Sequence, residues 1–175
     1  MEKNYFVTTF VFLTVVFFVS AVFADDDTLA KFKGGIGANP VSSGVGTAAT
    51  AEVVNRNIVR GVQPPGQIWV IADLKAEVKV NGDIKVEGRG LVLGGGNNIG
   101  RATGQSVFAT LICEAAAPFT ERSTTSTGVA LANNGDFKID DVLVPLPPAT
   151  CASPMLLIRT AGSGNWFAAG IVKFD

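Results

Sequence analysis

The sequence predicts an all-β protein, a two-sheet antiparallel sandwich, and three observations carry the prediction. Short runs rich in Val, Ile, Leu and Phe recur from Glu52 onward between Gly, Pro and Asn punctuation; the clearest of them alternate apolar with polar residues; and no segment of ten or more residues shows a convincing amphipathic helical period. That spacing gives seven or eight strands. Such a set of short strands packs most economically as an immunoglobulin-like sandwich, with a closed β-barrel as the alternative.

At the N-terminus, Lys3 precedes an apolar run from Tyr5 to Ala24, which has the n-region and h-region of a secretory signal peptide. Val22-Phe23-Ala24 before Asp25-Asp26-Asp27 predicts cleavage after Ala24. The same run is also long enough to stay as an uncleaved bilayer anchor. From 25 to 51 the chain is expected to form a flexible N-terminal arm, because several glycines and Pro40 sit where a helix would have to run. The folded domain is expected over 52–175.

Within it, Val53 to Val62 reads as strand and stops at Pro64-Pro65-Gly66. Leu74, Ala76, Val78 and Val80 alternate with Lys75, Glu77 and Lys79; after Asn81-Gly82, Ile84 and Val86 alternate with Lys85 and Glu87. This is a hairpin with one buried and one solvated face, whose outer charges can pair across the strands. A Gly/Asn-rich loop, Gly94 to Gly104, leads to Val107–Cys113, a nearly unbroken apolar run of the kind expected when both faces are covered. Asn133-Asn134-Gly135-Asp136 predicts a second hairpin turn, and Pro145-Leu146-Pro147-Pro148 an edge or crossover. Met155–Ile158 and Trp166–Phe174, joined through Gly162-Ser163-Gly164-Asn165, form the closing pair.

Composition narrows the chemistry. A net charge of −1 with interleaved signs gives no cationic footprint for nucleic acid and no polybasic cluster for a membrane surface. The chain contains no histidine, which removes Ser-His-Asp and Cys-His catalysis, His-ligated metal centres and a His general base. Its two cysteines, Cys113 and Cys151, are expected to form one disulfide, as an even pair does in an exported chain, and that leaves no thiolate cluster for a metal. No cofactor and no metal centre is expected.

Several residues remain as candidates. Trp69 and Trp166 could form a sugar-stacking platform beside the loop residues Asn97 and Asn98. The sparsely charged strand from Trp166 and Phe167 to Phe174 reads as an exposed edge or partner surface, open to self-association or to a protein partner. Glu114, at the end of a buried strand, is the acid to watch for carboxylate-dependent hydrolysis. Asp136, Asp140 and Asp141 supply oxygen ligands of the type Ca²⁺ takes, without the order or glycine of an EF-hand. The glycine loop at 94–100 matches neither dinucleotide nor P-loop spacing and reads as a connection.

The strings Asn55–Val62, Ser106–Leu111 and Trp166–Ile171 resemble those of a group of exported bacterial β-rich proteins. This resemblance spans most of the chain after the apolar run and implies export, to the periplasm or the medium, but no particular activity. A weaker similarity to CHRD-type secreted domains rests on alternating strands around Gly-Leu turns, and the histidines usual in that family are missing here. Together these features describe a small exported protein that binds or assembles, with a carbohydrate-binding module and a carboxylate-dependent hydrolase as alternatives.

Overall fold

A computed structural model describes residues 27–45 and 53–173, so the expected signal peptide over 1–24 and its cleavage after Ala24 lie outside the described residues. These residues form strands and no helix. In chain order the strands are β1 (Thr28–Gly37), β2 (Val41–Val45), β3 (Val53–Arg56), β4 (Trp69–Val70), β5 (Asp73–Lys79), β6 (Asp83–Arg89), β7 (Val92–Leu93), β8 (Ser106–Ile112), β9 (Arg122–Ser123), β10 (Val129–Ala130), β11 (Phe137–Val142), β12 (Met155–Thr160) and β13 (Trp166–Val172).

One antiparallel sheet dominates, in the order β10-β8-β12-β13-β1-β5-β6-β11, with β9 also paired to β8. Its two ends meet where Ser123 and Val144 exchange backbone hydrogen bonds of 3.0 and 2.9 Å, so the sheet curls nearly into a barrel. Two small sheets, β2–β3 and β4–β7, lie outside this path. The all-β antiparallel prediction is therefore met by one strongly curled sheet, intermediate between the sandwich and its barrel alternative.

The predicted hairpin is β5–β6, with Leu74, Ala76, Val78, Ile84 and Val86 buried and the intervening charges exposed. Its turn takes positive φ at Gly82 alone (φ 90°), while the Gly82 amide donates to the Lys79 carbonyl at 3.0 Å. That is a tight turn followed by a left-handed glycine, so only one of the two residues in Asn81-Gly82 needs the conformational freedom. The Asn133–Asp136 turn also forms, but β10 before it pairs with β8 and not with β11.

Two expectations are corrected. The arm proposed for 25–51 is, over Thr28–Gly37, strand β1, paired with β5 on one side and β13 on the other. Its glycines permit close approach: a Cβ at Gly37 would collide with the Trp69 carbonyl, and one at Gly35 with Ile71 and Leu74. The C-terminal strand is not an edge, because β13 lies between β12 and β1 with Trp166 through Gly170 buried. Its lack of charge reflects an interior strand.

The core runs through both halves of the sheet and includes Leu74, Ile84, Leu111, Leu156 and Ile158, all fully buried. At its edge the Cys113–Cys151 disulfide ties the end of β8 to the segment before β12.

Candidate functional site

A cleft of about 470 Å³ opens where the loops after β7 and β12 approach β4. A backbone relay builds its floor: the Ala38 amide donates to the Phe167 carbonyl and the Trp69 amide donates to the Ala38 carbonyl, both at 2.9 Å. This draws β4 onto β13, and the Trp69 and Phe167 rings stack with centroids 4.0 Å apart and planes 13° from parallel. Both residues are buried, and each ring spends one face on the other.

The walls are uncharged and polar. Gln67 and Asn98 come from the loops around β4 and β7, and Ser163 and Asn165 from the β12–β13 turn. Between them lie Thr103, Gln105 and Thr160, where the Thr160 hydroxyl donates to Gln105 Oε1 at 3.0 Å. Among the described residues, no Asp, Glu, Lys or Arg lines this cleft. The 94–100 loop is closed at its base by the Gly100 amide on the Leu93 carbonyl (2.8 Å) and the Leu93 amide on the Arg101 carbonyl (3.1 Å), which fixes the stem that carries Asn98.

Thr103 adopts φ 55° and Gly104 φ 69° in the turn from Ala102 to Gln105. A β-branched residue in the left-handed region costs of order 1 kcal/mol or more, and such residues concentrate where a side chain must be aimed. Thr103 is one of the residues that line the cleft.

Of the residues singled out from sequence, Trp69, Asn98 and Phe167 converge on this cleft. Asn97 is exposed on the same loop without lining it. Trp166 sits elsewhere, buried, with its indole Nε1 donating to the Asn57 carbonyl at 3.0 Å, so the two tryptophans do not form a common platform. Sequence reasoning missed Gln67, Thr103, Gln105, Thr160, Ser163 and Asn165; only the left-handed demand at Thr103-Gly104 hints at a special position.

Glu114 is engaged in structure. Arg122 Nη2 donates to its Oε1 at 3.0 Å, the Thr120 amide donates to its Oε2 at 3.2 Å, and the Arg122 hydrogen bond holds the carboxyl down at about 2. A general acid for glycoside hydrolysis needs the opposite shift. The three aspartates are separately committed. Asp136 accepts from the Gly90 amide (3.0 Å) and Asn134 (2.9 Å), Asp140 faces Lys85 at 3.5 Å, and Asp141 accepts from the Thr125 amide at 2.8 Å. Backbone hydrogen bonds from Thr125 and Val142 lower the Asp141 pKa. Among the described residues no group of three or more His, Cys, Asp or Glu side chains could hold a metal ion.

Comparison with protein-family models, with curated proteins and with solved structures yields no match.

Proposed function

We propose that this is an exported, non-catalytic binding protein whose cleft takes a neutral, polyhydroxylated ligand, a carbohydrate. The observation that carries the reading is the chemistry of the cleft, amide and hydroxyl groups without a formal charge above an aromatic floor. Sugars present hydroxyls that both donate and accept, and the Asn, Gln, Ser and Thr groups on these walls do the same. The Trp69 and Phe167 rings are stacked on each other, so recognition rests mainly on the polar walls. Export rests on the apolar run ending in Val22-Phe23-Ala24 and agrees with a disulfide-stapled fold. The self-assembly reading loses the surface that suggested it, because β13 is interior.

The test is titration of the protein with a panel of neutral oligosaccharides, followed by Trp fluorescence and by NMR of the Asn98 and Gln105 side-chain amides. A binding sugar should shift both signals. Asn98→Ala with Gln105→Ala should weaken it by roughly tenfold, since each lost hydrogen bond is worth about 0.5–1.5 kcal/mol. A panel that moves neither signal would overturn the carbohydrate reading.

A further inference from the structure

The outer face of β1, β5, β6 and β11 carries two cross-strand rows of charge. In one, Lys31 lies opposite Glu77, Glu77 opposite Lys85 and Lys85 opposite Asp140, a strict alternation of sign. In the other, Lys138 lies opposite Glu87 and Glu87 opposite Lys75, but Lys75 lies opposite Lys33. The alternation that stabilises this face fails at that one pair, where like charges face each other directly and cost stability.

The surroundings deepen the imbalance. Among the described residues, Lys33 and Lys75 line a shallow depression of about 470 Å³ with Lys31, Lys85 and Lys173 and with Glu77 and Glu87, and Lys85 is itself paired with Asp140. Lys173 is brought there because its amide donates to the Lys31 carbonyl at 2.9 Å. Glu87 accepts from Lys138 at 2.7 Å, so its charge is shared with a lysine outside the depression. Among the described residues no carboxylate lies within ion-pair distance of Lys31 or Lys33, and Lys75 reaches only Asp73, at 4.0 Å.

We propose that the depression centred on Lys33 and Lys75 binds an anionic polysaccharide, at a site separate from the neutral cleft. Ammonium groups on a shallow sheet face hold charge without the converging donors that would cage one small anion, so a polymer with repeating carboxylate or sulfate groups is the ligand that fits. A chain of net charge −1 that sets Lys31, Lys33 and Lys75 side by side on one face does so against its average.

The full-length protein would be titrated with dextran sulfate and with uncharged dextran over a range of NaCl concentrations. Binding to dextran sulfate should weaken steeply with salt, and uncharged dextran should not bind here. Lys33→Gln with Lys75→Gln should lose at least tenfold in affinity, whereas Lys79→Gln, whose lysine pairs with Asp27, should stay within twofold. Lys33→Glu restores the alternation, so it should abolish binding while raising Tm by roughly 1–3 °C. That opposed pair of effects marks a site kept at the expense of stability. Asn98→Ala with Gln105→Ala should leave dextran sulfate binding unchanged, which separates this site from the cleft. Absence of binding at low salt, indifference to the double lysine variant, equal competition by inorganic sulfate at matched sulfate concentration, or equally tight binding of duplex DNA would each overturn the proposal.

Discussion

The sheet has two halves that are held in place by different physics. In β5, β6 and β11 the residues alternate, one face is core and the other meets water through paired charges. In β8, β12 and β13 nearly every residue is buried, so this half needs a second layer over its outer face. Loops supply that layer, burying side chains such as Val62 and Leu131, and polar bonds help to secure it. Arg60 donates to the Ile112 carbonyl (2.9 Å) and the Ser153 hydroxyl (2.7 Å), Thr124 Oγ1 accepts from the Ala109 amide (3.0 Å), and the Thr110 and Ser123 hydroxyls pair at 2.8 Å. Polar groups therefore matter most where the chain looks most apolar, and least where charges are most visible.

Four measurements would break or sharpen that contrast. Replacing both cysteines by alanine should cost about 4 kcal/mol in denaturant unfolding, the value for freeing a loop closed between Cys113 and Cys151; a loss below about 1 kcal/mol would mean the covering loops hold without the staple. Glu114→Gln should cost about 3 kcal/mol, the lower end for breaking a buried pair because Glu114 remains 28% exposed. Its partner Arg122 is buried and its Nε has no hydrogen-bond partner among the described residues, so losing the carboxylate leaves the cation poorly compensated. Since the folded state holds Glu114 at about 2 against an ordinary 4.5, its contribution is complete above about pH 4.5 and disappears as pH falls through about 2. Unfolding midpoints measured from pH 6 to pH 2 should fall less in the glutamine variant than in the parent.

Thr124→Val keeps the side-chain shape and removes the acceptor for the buried Ala109 amide, with an expected loss of about 1–3 kcal/mol. The smallest effect belongs to the hairpin half: Lys138→Gln removes the exposed pair with Glu87 and should leave the thermal midpoint nearly unchanged. If Lys138→Gln costs as much as Thr124→Val in thermal unfolding, the distinction between the halves fails.

The same contrast explains what could be read from sequence. Alternation at 74–87 declares a hairpin because the pattern is imposed locally by one wet and one dry face, and the apolar run at 107–113 declares a covered strand. Strand β1 was hidden: Thr28–Gly37 holds three glycines and few apolar residues, and tertiary pairing with β5 and β13 makes it a strand. The missing charges of Trp166–Val172 were equally consistent with a bare edge or an interior position, and only the pairing partners separate the two. The cleft was legible as single residues, Trp69, Asn98 and Phe167. Its walls were not, because Gln67, Gln105 and Asn165 become neighbours only after the sheet has curled. The charge rows were half visible, since pairing within the hairpin follows from its turn but the Lys33–Lys75 opposition depends on the register of β1.

The place of β13 bears on how the molecule can form. The final strand of the fold is inserted in the middle of the sheet, joining β12 to β1, the earliest of the described strands. Until it is in place, β1 has only β5 beside it and the sheet is open between β12 and β1. Contacts that span nearly the whole chain incur their loop-closure entropy before any reward, so folding is expected on a scale of roughly milliseconds to seconds. Without β13 the two halves would be joined only at the opposite seam, through Ser123 and Val144, so the curl is completed by the last of the described strands.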